Sequence, residues 1–160
     1  MTQQHCSALL VFAGFLTGCG RHDLSQPPNV RFGDEACAYC RMIISDQRFA
    51  AAIVDQAGEA LKFDDLGCLV EHEAEQFRPS VAYWVRGYDG QRWLNAREAT
   101  FVHSRGIVSP MNHGLAAFDD ARPAEKAAHE TASRVLQFDE LSGFIRQQLR
   151  ENTSTSSRSQ

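Results

Sequence analysis

An α+β fold, built from two small ββαβ units in tandem and closed by a C-terminal helix, is predicted by three features of this sequence. Short runs rich in β-branched and aromatic residues alternate with stretches of helical periodicity. The tripeptide Phe-Asp-Asp occurs at 63–65 and again at 118–120, each time followed by a helical pattern and then a strand-like run. The spacings also match, since Phe63 to Val81 is 18 positions and Phe118 to Val135 is 17. Matching helix lengths and matching next strands favour duplication over chance. With 160 residues, 43% of them hydrophobic and 22% charged, the composition is that of an ordinary globular protein. A formal charge of −4 and scattered arginines do not make the basic face that nucleic acid requires, so no nucleic-acid partner is expected.

Residues 1–18 read as a signal peptide. The apolar run from Ala8 to Leu16 is too short to cross a bilayer, which takes about 20 apolar residues, and it ends in small residues as a secretory segment does. Its ending, Leu16-Thr17-Gly18-Cys19, resembles the lipobox of bacterial lipoproteins. That resemblance implies cleavage before Cys19, acylation of its thiol, and a mature chain anchored by lipid to a membrane, facing the periplasm. Gly20 after the cysteine favours the outer membrane in a Gram-negative cell. Residues 19–33 are polar and contain Pro27-Pro28, a linker between anchor and fold.

The first unit is placed at residues 34–89. "RFAAAIVD" (48–55) reads as a mostly buried strand, Gln56-Ala57-Gly58 as a turn, and Glu59 to Phe63 as the returning strand. From Asp64 to Phe77, Leu66, Leu69, Val70, Ala74 and Phe77 share one helical face, with Asp64 or Asp65 as N-cap and Pro79 as terminator. "VAYWVR" (81–86) has the bias of a strand. The second unit, residues 90–150, repeats the order and ends in a helix from about Asp139 to Arg150. Residues 151–160, "ENTSTSSRSQ", lack packing residues and are expected to be a disordered tail.

Chemistry concentrates in "CAYCRM", Cys37 to Met42. With Cys6 discarded and Cys19 acylated, Cys37, Cys40 and Cys68 remain, an odd set that cannot all pair within one chain. A redox pair wants a helix N-terminus beneath its first cysteine, yet Ile43, Ile44, Ser45 and Asp46 make a poor helix after Cys40. A structural zinc site wants four N/S ligands, and Cys68 with His72, one helical turn apart, is the pair available to complete it. An inert disulfide is the plainest alternative. Met42 tips the balance toward a soft ion, because thioether and thiolate both suit Cu(I). Of the two methionines after the initiator, one adjoins the CxxC and the other, Met111, lies in the Gly/Pro-flanked loop "GIVSPMNHGLAAF" beside His113. Cys37, Cys40, Met42, Met111 and His113 therefore form the expected metal set. Cys68 is a further candidate, equally readable as a buried structural thiol. Asp64-Asp65 and Asp119-Asp120 are read as helix caps, and no hydrolase or nucleotide signature is present.

Several segments together resemble the NosL family of copper chaperones. They are Cys37-Ala-Tyr-Cys40-Arg-Met42-Ile43-Ile44-Ser45-Asp46-Gln-Arg48-Phe49-Ala50-Ala51, Phe63-Asp64-Asp65-Leu66-Gly67-Cys68, Phe101-Val102, Ser109-Pro110-Met111 and Ala117-Phe118. The resemblance implies a lipid-anchored Cu(I)-binding protein that is not an enzyme. It also implies a partner, nitrous oxide reductase or its membrane copper-maturation machinery, supplied with copper for a copper–sulfur centre. An extracytoplasmic thiol–disulfide oxidoreductase using Cys37 and Cys40 is the alternative. Whether one chain holds the ion or a dimer shares it stays open at this stage.

Overall fold

A computed structural model describes residues 23–75, 80–89, 92–130 and 133–156. The signal peptide, Cys19, Phe77 and Pro79 lie outside the described residues. The element order is β1 (Ala51–Val54), β2 (Ala60–Phe63), α1 (Leu66–Glu75), β3 (Ala82–Arg86), β4 (Trp93–Asn95), β5 (Thr100–His103), β6 (Leu115–Phe118), α2 (Ala121–Glu130), β7 (Arg134–Gln137) and α3 (Phe138–Ser156). Two antiparallel sheets result, ordered β2-β1-β3-β4 and β6-β5-β7.

The duplication predicted from Phe-Asp-Asp is visible in the pairing. In each unit the first strand lies between the second and the third, antiparallel to both: β1 between β2 and β3, β5 between β6 and β7. The first hairpin turns at Asp55, whose carboxylate accepts from the amides of Ala57 and Glu59, with Gly58 at φ 85°. A left-handed residue there is what glycine tolerates without a Cβ clash. The sheets touch where the Tyr88 amide donates to the Ala117 carbonyl at 2.7 Å. A continuous core then runs from Ile53, Phe63 and Leu69 through Phe101 and Leu115 to Leu136, Leu141 and Ile145.

Two boundaries differ from the sequence reading. Strand β4, on the second unit's side of the expected 89/90 boundary, pairs with β3 and completes the first sheet. Its cross-strand partner, rather than its chain position, decides where it belongs. Helix α3 runs six residues into the segment expected to be a disordered tail, and residues 157–160 lie outside the described part. Leu141 and Ile145 anchor its first turns in the core. Each further residue then adds one hydrogen bond without a new nucleation cost, and no Gly or Pro between 144 and 156 stops it. Among the described residues no helix is long and apolar enough to cross a membrane.

Candidate metal centre

The CxxC segment forms a closed loop rather than a helix start. Ala36 bridges Ile43 in antiparallel fashion, the Cys37 amide donates to the Met42 carbonyl at 2.7 Å, and the Arg41 amide donates to the Cys37 carbonyl at 3.1 Å. Arg41 sits at φ 67°, a left-handed turn that reverses the chain so that the β-branched Ile43 and Ile44 leave in extended form. Ile44 is buried and Ile43 is exposed, the alternation of an extended segment. Three ties fix the loop to the first unit. The Ala38 amide donates to the Lys62 carbonyl at 2.8 Å. Lys62 Nζ pairs with Glu35 Oε1 at 2.7 Å. Tyr39 Oη donates to Glu75 at the far end of α1 at 3.0 Å.

This placement brings Cys37 and Cys40 against α1, where Cys68 occupies the third helical position. The three sulfurs lie within 4.8 Å of one another, and among the described residues no His, Asp or Glu joins the group. A metal–thiolate bond of about 2.3 Å needs sulfurs about 4 Å apart, so a small contraction of the loop closes the triangle on an ion. Cys37 and Cys68 are buried, and Cys40 is partly open.

The three thiols are not equivalent. Cys37 is drawn down to about 5, first because the Cys68 thiol donates to it and then by the backbone amides of Asp64, Cys40 and Tyr39, against the opposing effect of burial. Two of those donors belong to the CxxC loop, and Asp64 lies next to the N-terminus of α1, where amides and the helix dipole favour an anion. Cys68 is pushed well up, by donating to Cys37 and by burial. Cys40 is raised, chiefly by burial. At neutral pH the group therefore holds one resident thiolate and two protonated thiols.

Met42 lies in the CxxC loop itself and Met111 in the loop tied to Asp65. Both line one open cleft together with Ile43, Val108, Pro110 and Asp64. The methionines are 58% and 40% exposed. Asp64 joins the two regions, since its side chain lines the cleft while its amide faces the Cys37 sulfur. The Met111 loop is tightly turned. Asn112 and Gly114 have φ of 59° and 65°, and a Cβ on Gly114 would lie 2.4 Å from the Ser104 carbonyl oxygen.

His113, expected among the metal ligands, is occupied otherwise. Its Nδ1 lies 3.2 Å from Asp65 Oδ1 and its Nε2 lies 3.3 Å from Glu71 Oε2, though Nδ1 is not aligned for a hydrogen bond. Burial lowers its pKa, but Asp65 and Glu71 together outweigh that and hold it above the ordinary histidine value. The ring packs so closely on α1 that a Cβ on Gly67 would sit 2.0 Å from His113 Cγ. His72, the other residue considered beside Cys68, packs at a tilt against Phe63 with ring centroids 5.4 Å apart.

The sequence reading underrated two residues. Cys68 belongs to the thiol triangle as fully as the CxxC pair, whereas its sequence context, an apolar helix face, reads equally well as a core thiol. Asp65 is a cap, as expected, its Oδ1 accepting from the Gly67 amide at 2.7 Å. It also holds the methionine loop, a role that no local pattern announces.

The NosL family profile matches residues 31–144. Among solved structures, the crystal structure of the copper chaperone NosL from Shewanella denitrificans is similar, with a TM-score of 0.65 at 16% sequence identity, over 71% of this chain and 94% of that one. Identity that low speaks for the fold. No curated protein matches this chain in sequence. A profile spanning both ββαβ units and the CxxC loop establishes the relationship: the chain belongs to the NosL family.

Proposed function

We propose that this protein is a Cu(I)-binding metallochaperone, held outside the cytoplasm by lipid on Cys19, that passes copper to nitrous oxide reductase or its membrane copper-maturation machinery for assembly of a copper–sulfur centre. The observation that carries the metal reading is the triangle of Cys37, Cys40 and Cys68 sulfurs within 4.8 Å. Three thiolates with no imidazole or carboxylate among them suit a soft ion of low coordination number better than tetrahedral zinc. Burial of Cys37 and Cys68 favours retention, and the partly open Cys40 gives an acceptor's ligand a place to enter. Met42 and Met111 on the neighbouring cleft are the weak soft donors through which an ion can leave stepwise. The acceptor and the anchor are supported by the family relationship and the lipobox.

Competition with bathocuproine tests the metal reading. Wild-type protein should retain one Cu(I), and a Cys37→Ser, Cys40→Ser, Cys68→Ser variant should release it to the chelator. Equal retention by both would remove the thiols from the site. Transfer is tested separately, by mixing copper-loaded protein with metal-free nitrous oxide reductase and measuring copper in the separated acceptor. Copper that stays with the donor would overturn that assignment alone.

The oxidoreductase reading draws support from the low pKa of Cys37. Geometry weighs against it, because the attacking thiolate of such an enzyme must reach a substrate disulfide, and Cys37 is buried while the more open Cys40 is the one held protonated. Steady insulin reduction by the purified protein would reverse this judgement.

A further inference from the structure

Asp65 is fully buried, and its contacts lead to different parts of the site. Oδ1 caps α1, the helix that carries Cys68, through the Gly67 amide. Oδ2 accepts from the Ser109 hydroxyl at 2.6 Å and from the Met111 amide at 3.0 Å. Ser109 Oγ in turn accepts from the Gly114 amide at 3.2 Å, so one hydroxyl links the carboxylate to the far end of the same loop. His113 adds a cation-capable ring 3.2 Å from Oδ1. Among the described residues the loop has no strand partner between Ser104 and Gly114. Its ends are closed on each other by the Ser104 amide donating to the Gly114 carbonyl at 2.9 Å, while its outer end meets the first unit at Asp65. A helix cap needs one acceptor oxygen. The second oxygen, buried at a cost that only its donors offset, serves the loop.

We propose that Asp65 is a positioning residue for the metal site: one carboxylate sets the helix bearing Cys68 and the loop bearing Met111 in a single register, so that the thioether is kept at the cleft wall beside the thiols. The inference rests on the copper reading and adds to it a coupling between two sulfur-bearing segments 43 positions apart.

Asp65→Asn separates the two duties. The carboxamide oxygen can still cap Gly67, whereas the amide nitrogen cannot accept from Ser109 or Met111. In the full chain, Cu(I) affinity measured against bathocuproine should fall by about 10- to 100-fold, as the loss of a ligand-orienting partner does. Met111→Ala should cost a similar factor, and the double variant no more than the larger single loss. Zn(II) affinity, read with a chromophoric chelator, should change by less than about twofold, because thioether contributes almost nothing to zinc. Ser109→Ala, which leaves the cap untouched, should move Cu(I) affinity in the same direction by a smaller factor. In the metal-free protein, the Met111 methyl resonance should shift toward that of a freely exposed methionine in Asp65→Asn.

Cu(I) and Zn(II) affinities falling together would show that Asp65 merely folds α1 and would overturn the proposal. So would additive losses in the double variant, or a Met111→Ala protein with wild-type Cu(I) affinity. These outcomes leave the thiol site standing. A wild-type protein that retains no Cu(I) would instead sink the copper reading, and the methyl resonance would still decide whether Asp65 positions Met111.

Discussion

The two halves of the molecule open their helices with the same tripeptide and diverge at once. In the first half Phe63-Asp64-Asp65 leads into Leu66-Gly67-Cys68, and in the second Phe118-Asp119-Asp120 leads into Ala121-Arg122-Pro123. Asp120 stands exposed and caps α2 through the Arg122 amide at 3.0 Å, and Asp119 pairs with Arg92 at the surface. Their counterparts are buried. Asp64 accepts from the Ser45 amide behind the CxxC loop at 2.9 Å, and Asp65 reaches across to the loop of the other half. The glycine that follows lets His113 lie against the helix, and the next residue brings the third sulfur. The same scaffold occurs twice, and the copy with buried carboxylates, a glycine and a thiol is the one that carries the candidate site. The second half contributes to it through one loop, between β5 and β6.

The widest gap between the halves is expected in metal retention. Replacing the three cysteines of the first half by serine should lower Cu(I) affinity by well over about 100-fold, more than the loss of any orienting partner. Cys68→Ser alone should cost as much as Cys40→Ser. If Cys68→Ser kept wild-type affinity in the bathocuproine assay, the third sulfur would be a core residue and the halves would differ less than their geometry implies.

Proton release is the next largest effect. Cys37 is already ionised above about 5, while Cys40 and Cys68 hold protons that an incoming ion must displace. Because the binding form is the deprotonated one, affinity should rise as pH rises, by about two logarithmic units per pH unit around neutrality. Potentiometric or dye-based proton counting should give about two protons per ion. Three would mean that Cys37 is not the resident thiolate, and one or none would mean that Cys40 or Cys68 stays out of the coordination sphere.

Gly67 and Arg122 occupy equivalent helix positions and make a sharper stability contrast. Gly67→Ala drives a methyl into the His113 ring and should destabilise the protein by about 1–3 kcal/mol, the range for overpacking a tight contact. His113→Ala in the same chain should recover much of it. Arg122→Ala on the exposed start of α2 should stay within about 0.5 kcal/mol. Urea denaturation of the four proteins checks this, and a neutral Gly67→Ala would mean that His113 swings clear and does not seal the helix.

Much of this arrangement was readable in the sequence, and the parts that were not share a cause. Strand and helix order followed from periodicity, the duplication from Phe-Asp-Asp, and the CxxC pair as a metal-binding candidate from its spacing, all of them local patterns. The membership of β4 in the first sheet, the equality of Cys68 with the CxxC pair, the engagement of His113 by Asp65 and Glu71, and the second duty of Asp65 depend on contacts between residues tens of positions apart. Helical spacing places Cys68 in the first turn of α1 and Asp65 at its cap but does not say which loop will fold over that end. The α3 extension is a different case. There the sequence offers no core residues, and the helix continues by propagation from the packed turns before it.

The smallest effect tests the comparison most directly, because it asks what the shared aspartate does when nothing else is attached to it. Asp120→Ala removes the cap of α2 and should cost about 1 kcal/mol, visible as a small shift in the urea midpoint with an unchanged slope. Cu(I) and Zn(II) affinities should both match the wild type, since the Asp120 carboxylate accepts from the Arg122 amide and belongs to neither the thiol triangle nor the methionine cleft. Set beside Asp65→Asn, in which the cap is kept and the loop is released, this variant separates cap from clamp across the two halves. A loss of Cu(I) affinity in Asp120→Ala would show that the second unit reaches the site through its helix as well as through its loop, and the division drawn between the halves would have to be moved.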